Sequence, residues 1–317
     1  MMANKQNVLL LCPGYPDSTL AMLDRHFQVC NLWEQQAPNE FLQAQGECFR
    51  AAAGNASVEA NVELFELLPN LELLASFGVG LDKIDLVSAK QRNIKVTYTP
   101  DVLTADVADL AMTMMSAFAR GIIAGDRHVR RGDWLSGPMP LGSRLSGKQL
   151  GVLGLGRIGQ EIAKRAQLNE MLVCYAGPRE KPDQPYRYYD ALIPMAQECD
   201  YLVISCMPTP ENRHIISEDV LTALGPSGVL VNIARGSVVD ESALVRILLA
   251  KKLGGALLDV YEQEPEVPAE LFELDNVILT PHIGSATHQT RAAMGQLVVD
   301  NLVAHFSGES LVTPVED

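Results

Sequence analysis

Apolar residues along this chain alternate between two patterns: short continuous runs of strand type, and stretches with helical spacing. Residues 7–12 read as a buried strand ending in the turn Pro13-Gly14. Residues 18–27 place Leu20, Leu23 and Phe27 on one helical face. Residues 28–33 and 49–53 predict a second and a third strand. Residues 62–68 predict a helix stopped by Pro69, and 71–77 and 94–98 predict a fourth and a fifth strand. Strands that alternate with helices imply a parallel sheet, so a first open α/β unit of about 100 residues is expected.

Thr104 or Asp106 can then cap one long helix reaching about Arg131, with Met112, Met114, Met115 and Phe118 in its core face. A helix of that length is expected to join two domains. Residues 132–145 are rich in Gly, Pro and Ser around Trp134 and read as an excursion loop, where an aromatic side chain often buries at an interface. Strand runs resume at 150–153, 171–175, 200–206, 228–233, 255–258 and 277–279. Whether 186–189 forms another decides whether 200–206 is the third or the fourth of this set. Helices such as Glu241–Leu249 lie between the runs. The expected fold class is α/β, with two doubly wound parallel-sheet domains.

The second set is organised around residues 149–160, QLGVLGLGRIGQ. Gly154, Gly156 and Gly159 form G-x-G-x-x-G between a strand run and a helix with Ile162, Ala163 and Ala166 on one face. The first glycine permits the tight turn, the second lets a pyrophosphate approach the backbone, and the third lets the helix pack on the strand. Bare amides at the new helix start then favour an anion. At the end of the fourth strand, Ser76-Phe77-Gly78-Val79-Gly80 leaves further amides open. It reads either as a ligand-binding strand end or as a plain glycine turn.

At 317 residues the chain exceeds what one core usually serves. A net charge of -14 argues against nucleic acid or an anionic membrane as the main partner. Cys12, Cys30, Cys48, Cys174, Cys199 and Cys206 include no C-x-x-C, so buried free thiols in a reducing compartment are expected, without a metal site. No apolar stretch approaches the roughly 20 residues of a membrane span, and a cytoplasmic protein is expected.

Polar residues gather where the strands of the second set end. Met207-Pro208-Thr209-Pro210 follows one strand, as a loop under a cofactor would. Arg235-Gly236 follows the next, Asp259 ends another with Glu264 five residues on, and His282 follows the last. Each has a structural alternative: a surface ion pair, a strand-end cap, a loop carboxylate, a hydrogen-bonded histidine. Together on one rim they fit hydride transfer to a carbonyl. Arg235 would take the carboxylate of a 2-keto acid as a bidentate fork. His282 would protonate the developing alkoxide. Glu264 would favour and orient the imidazolium, and Asp259 would reach the nicotinamide carboxamide.

The segments FGVGLDKID, TPDVLTADVADLAM, LGVLGLGRIGQ, NIARGSVVDESAL, GGALLDVYEQEP and LTPHIGSAT resemble the D-isomer-specific 2-hydroxyacid dehydrogenases. The resemblance spans roughly residues 71–294 and implies two domains with a cleft between them. Residues 1–100 and 286–317 would bind substrate, and 101–285 the dinucleotide. It implies catalytic roles for Arg235, Glu264 and His282, and substrate-carboxylate amides at Val79 and Gly80. It implies cofactor contacts from Thr104, Gly154, Gly156, Arg157, Ile158, Gly159, Gly177, Arg179, Cys206, Pro208, Thr209, Ile233, Ala234, Asp259 and Gly284. Homodimers through the long helix and the following loop are implied too. GDWLSGPMPLG is most similar to the glyoxylate/hydroxypyruvate reductase group, in which Trp134 would reach a neighbouring subunit's site.

Cofactor choice follows from a departure. NAD-binding proteins place an acid about 20 residues past the glycine loop. Here the second strand ends Tyr175-Ala176-Gly177-Pro178-Arg179, with Glu180 next. A guanidinium suits a 2′-phosphate, so NADP (as NADPH) is expected over NAD. The expected reaction is reduction of a small 2-keto acid of glyoxylate or hydroxypyruvate type to the D-2-hydroxy acid. 2-Ketogluconate and hydroxyphenylpyruvate are alternatives, with the discriminating walls expected around residues 48–53 and Trp134. A reading of another class is a dinucleotide-sensing binding protein on the same fold.

Overall fold

A computed structural model describes the chain from residue 5 to residue 316. It divides into two compact units. The first runs to Leu103 and resumes at Ser285; the second is Thr104–Gly284.

The first unit alternates β1 (Asn7–Leu10), α1 (Asp17–His26), β2 (Gln28–Asn31), α2 (Pro38–Gln45), β3 (Ala51–Asn55), α3 (Val62–Leu67), β4 (Leu73–Phe77), α4 (Leu86–Gln91) and β5 (Lys95–Thr97). All five strands are parallel, in the order β2-β1-β3-β4-β5, a flavodoxin-type doubly wound sheet. Its core holds Leu9, Leu42, Phe65, Leu74 and Val96. Each such fully buried side chain stabilises the fold by about 1.5–3 kcal/mol relative to exposure. The helices α2 and α4 lie outside the sequence expectation because each is short and carries few apolar positions. Their local signals are Pro38 in the first turn of α2 and the Asp85 side chain, which caps α4 by accepting from Ser88 N.

The second unit opens with α5 (Thr104–Ala119) and α6 (Ile122–Arg130). The single helix expected over 104–131 is thus two, bent by 57°. Gly121 takes a left-handed φ of 60°, ending α5, and the returning arm donates Ser143 N to Ala119 O at 2.7 Å. Met112, Met114 and Met115 are buried as expected, while Phe118 is only partly so. Among the described residues no single helix is long and apolar enough to cross a membrane; α5 and α6 reach that length and composition only together, across the bend.

The unit continues with β6 (Gln149–Leu153), α7 (Arg157–Leu168), β7 (Leu172–Ala176), β8 (Arg187–Tyr189), α8 (Leu192–Glu198), β9 (Tyr201–Ile204), α9 (Glu218–Leu224), β10 (Val229–Asn232), α10 (Glu241–Leu249), β11 (Gly255–Leu258) and β12 (Val277–Leu279). Residues 187–189 therefore are a strand, and the run at 200–206 is the fourth of the set. All seven strands are parallel, in the order β12-β11-β10-β9-β6-β7-β8. The order reverses direction between β6 and β9, the switch point at which Rossmann-type sheets bind ligands. The chain then returns to the first unit as α11 (His288–Ser307), where Thr287 caps the helix by accepting from Thr290 N.

Candidate active site

Because the seven strands are parallel, every segment that follows a strand leaves from the same edge of the sheet. That rim carries Gly154, Gly177, Cys206, Arg235, Asp259 and His282. The β6–α7 turn fits a pyrophosphate. Gly154 has φ +92°, and a Cβ there would lie 2.6 Å from the Cys206 backbone. A Cβ at Gly159 would meet Gly154 O at 2.2 Å, so helix and turn are in direct contact. Around Gly156, the N-cap of α7, the space is open, and no side chain caps the helix. A helix start of this kind turns its first amides toward an anion. Ser205 Oγ donates to Gly154 O at 2.6 Å and fixes the turn.

Past β7, Gly177 accepts from the Tyr188 hydroxyl at 3.0 Å, while Arg179 and Glu180 are both exposed. Lys181 was not anticipated. Its Nζ donates to Leu155 O, inside the glycine loop, at 2.7 Å, and its amide donates to the Tyr175 hydroxyl at 2.7 Å. Lys181 thus brings a cation to the space between the glycine loop and the end of β7. The available signal was a lysine two positions after Arg179. On the loop after β9, Thr209 caps a short 3-10 turn through Asn212.

Asn232, buried at the end of β10, organises the segment that carries Arg235. Its side chain accepts from Ala234 N at 3.1 Å and donates to Arg235 O at 2.9 Å. Arg235 Nη1 donates to Ala234 O at 2.7 Å. Glu264 joins two segments: Oε1 accepts from Tyr261 N at 3.1 Å, and Oε2 pairs with His282 Nδ1 at 2.7 Å. Burial raises the Glu264 pKa, but the His282 hydrogen bond and charge, the Tyr261 amide and the Arg235 charge outweigh it and hold the carboxyl below its usual range. An ionised Glu264 makes Nδ1 the donor, and His282 Nε2 has no hydrogen-bond partner among the described residues.

Asp259 is engaged by the segment that follows it. It is 1% exposed, and its carboxylate accepts from Thr280 Oγ1 (2.6 Å), Ile283 N (2.8 Å) and Gly284 N (2.9 Å). Burial raises its pKa against these hydrogen bonds. His282 N donates to Asp259 O at 2.9 Å, and His282 holds a left-handed φ of 53°, sparsely populated for a residue with a side chain. Asp259 therefore moulds the turn that presents His282.

Other expected site residues belong to other elements. Val79 and Gly80 follow β4 in the first unit, and Thr104 is the first residue of α5. Residues 48–53 do not form a wall: Ala51, Ala52 and Ala53 are wholly buried inside the sheet, and Cys48 and Arg50 precede the strand. The residues at its carboxyl end are Gly54 and Asn55. Cys48 is also exposed, unlike the buried thiols expected; Cys12, Cys174 and Cys199 are buried. Trp134 is 69% exposed, beside Leu135 and Leu141 with almost their whole side chains in solvent.

Residues 112–284 match the family model of the D-isomer specific 2-hydroxyacid dehydrogenase NAD binding domain. The chain is 48% identical over 310 residues to hydroxyphenylpyruvate reductase of Plectranthus scutellarioides, covering 97% of this chain and 98% of the relative. The same identity and coverage relate it to glyoxylate/hydroxypyruvate reductase A of Arabidopsis thaliana. The NADPH-dependent glyoxylate/hydroxypyruvate reductase of Sinorhizobium meliloti, solved in complex with NADP and malonate, superimposes with a TM-score of 0.90 at 36% identity, covering 98% of this chain and 97% of that one. With its glycine loop at the sheet's switch point and its Glu264–His282 pair on the same rim, the chain belongs to the D-isomer-specific 2-hydroxyacid dehydrogenases and is an NAD(P)-dependent oxidoreductase.

Proposed function

We propose that this protein reduces a small 2-keto acid of the glyoxylate or hydroxypyruvate type to the D-2-hydroxy acid, with NADPH preferred over NADH. The observation that carries the reading is the 2.7 Å His282–Glu264 pair within the field of Arg235. The Arg235 guanidinium and the amides of Val79 and Gly80 take the substrate carboxylate. His282 Nε2 donates a proton to the carbonyl oxygen as it becomes an alkoxide. Glu264, accepting from Nδ1, stabilises the protonated imidazole and fixes its tautomer.

The cofactor supplies the hydride from its nicotinamide C4. The α7 amides with Gly154, Gly156, Arg157, Ile158 and Gly159 hold its pyrophosphate. Gly177 and Arg179 hold its adenosine ribose and 2′-phosphate. Thr104, Cys206, Pro208, Thr209, Ile233, Ala234 and Gly284 line the remainder, with Asp259 positioning Gly284. NADPH preference is supported by the absence of an acid at the end of β7 and by the cations Arg179 and Lys181. Exposed Ile122, Ile123, Trp134, Leu135 and Leu141 on α6 and the arm support a homodimer formed there.

Initial rates of NADPH and NADH oxidation with glyoxylate, hydroxypyruvate, pyruvate, hydroxyphenylpyruvate and 2-ketogluconate test this reading. Glyoxylate or hydroxypyruvate should rank first, with NADPH above NADH. His282→Ala should lose at least about 100-fold in kcat, the range of general acid catalysis, while still binding NADPH. Undiminished turnover by that variant would remove His282 from the mechanism. NADPH binding without reduction of any keto acid would favour a dinucleotide-sensing protein.

A further inference from the structure

Phe77, the last residue of β4, has two polar neighbours that make no hydrogen bond or ion pair among the described residues. The Arg291 guanidinium lies over its ring, 5.6 Å from the centroid. The Tyr15 ring packs 5.1 Å from it, and the buried Tyr15 hydroxyl has no hydrogen-bond partner among the described residues. Arg291 is half-buried and makes no side-chain hydrogen bond or ion pair among the described residues. Burial moves its pKa downward. It also sits in the first turn of α11, where the positive end of the helix dipole disfavours a cation. Partial burial, lack of a counter-ion and the dipole all weigh against this placement, and the fold keeps it.

The strand below Arg291 runs directly from Phe77 into Gly78-Val79-Gly80. Thr99 N donates to Gly78 O at 2.9 Å, and no atom lies within 4 Å of a Cβ built at Gly78. Under the function proposed above, on which this inference rests, the substrate carboxylate is served by the Arg235 fork and two backbone amides. Those donors fill its lone pairs. A further guanidinium at the same strand end is left with the rest of the substrate. We infer that Arg291 recognises an oxygen substituent on C3, making 3-hydroxy-2-keto acids the preferred substrate class over their 3-deoxy counterparts.

Hydroxypyruvate and pyruvate differ only in that hydroxyl, so the ratio of their kcat/KM values isolates it. The ratio is measured, with kcat and KM resolved, for the wild type, Arg291→Lys and Arg291→Met. NADPH binding by fluorescence and thermal melting report the fold of each. In Arg291→Met the ratio should fall by about 10-fold or more, the scale of a hydrogen bond to a charged group, mainly through the KM for hydroxypyruvate. Arg291→Lys should retain part of the preference, and decides the matter if the methionine variant does not fold. A ratio that stays within about two-fold of wild type overturns the inference while leaving keto acid reduction intact. A wild type that reduces neither substrate overturns the underlying reading as well.

Discussion

Gly236 is the point at which the segment carrying Arg235 touches the segment carrying Glu264, and replacing it with alanine tests whether that contact sets the active geometry. A Cβ at Gly236 would lie 1.9 Å from Tyr261 C, 2.1 Å from Tyr261 O and 2.2 Å from Glu262 N. Ordinary contact begins at 3.4 Å, so the two backbones must part by about 1.5 Å (3.4 less 1.9). Neither side can yield by rotating a side chain, because all three contacts are with main chain. Overpacking of this kind costs about 1–3 kcal/mol of stability, a fall of a few degrees in Tm. Its catalytic effect should be larger. Arg235 precedes Gly236, and Glu264 is fastened to the Tyr261 amide at 3.1 Å, so the separation moves the guanidinium away from the Glu264–His282 pair. A misplacement of about 1 Å costs roughly 100-fold in rate. Gly236→Ala should therefore lose at least about 100-fold in kcat/KM for glyoxylate while NADPH binding, monitored by fluorescence, stays near wild type, because the β6–α7 turn is not touched. Gly125→Ala, within α6 and facing only Met139 Sδ at 3.6 Å, is the control and should melt no lower than wild type. Wild-type kcat/KM in folded Gly236→Ala would show that the separation of the two segments does not govern turnover.

Arg179→Ala should lower the NADPH-to-NADH ratio of kcat/KM by about 10-fold, given the exposure of the guanidinium, and adding Lys181→Met should lower it further; steady-state kinetics with both cofactors measure this, and an unchanged ratio in the double variant would reject both residues as phosphate readers. Glu72 accepts two hydrogen bonds from Arg50 at 2.8 Å and faces His305 at 3.0 Å. The Arg50 hydrogen bond, opposed by burial and helped by the Arg50 and His305 charges, holds Glu72 below its ordinary value of 4.5. A depressed carboxyl stabilises the fold above its unfolded pKa and loses that contribution as pH falls through its folded pKa. Glu72→Gln should cost about 0.5–1 kcal/mol at pH 7 after screening of this half-exposed pair, somewhat more once His305, whose pKa burial holds below its ordinary 6.5, gains its proton, and less again as pH falls below 4.5. Thermal melts across that range measure it, and a deficit that kept growing below pH 4.5 would contradict the assignment.

Much of the fold was legible in the sequence. The apolar runs mark strands to within a residue or two, because a strand buried on both faces must be apolar throughout. Gly154, Gly156 and Gly159 could be read as a turn because strand, glycines and helix follow one another in the chain. The predicted helix over 104–131 failed at Gly121, since a left-handed glycine inside an apolar pattern looks like any tolerated helix glycine until its φ is known. The wall expected at 48–53 failed because the strand register, unknown from sequence, places Ala51–Ala53 inside the sheet.

The sequence alone determined the order of elements, the glycine turn and the polar residues at the strand ends, since each depends on neighbours a few positions apart. Only the tertiary structure decided what those strand-end residues do to one another. Glu264 and His282 are 18 positions apart yet meet at 2.7 Å. Asp259, read as a cofactor contact, also accepts from two amides of the turn that holds His282 at φ 53°. Lys181 reaches the glycine loop and Arg291 stands over Phe77 through distances the chain order does not encode. The physical reason is that parallel strands bring remote segments to one edge, and burial and hydrogen bonding there select each side chain's partner from everything assembled at that edge.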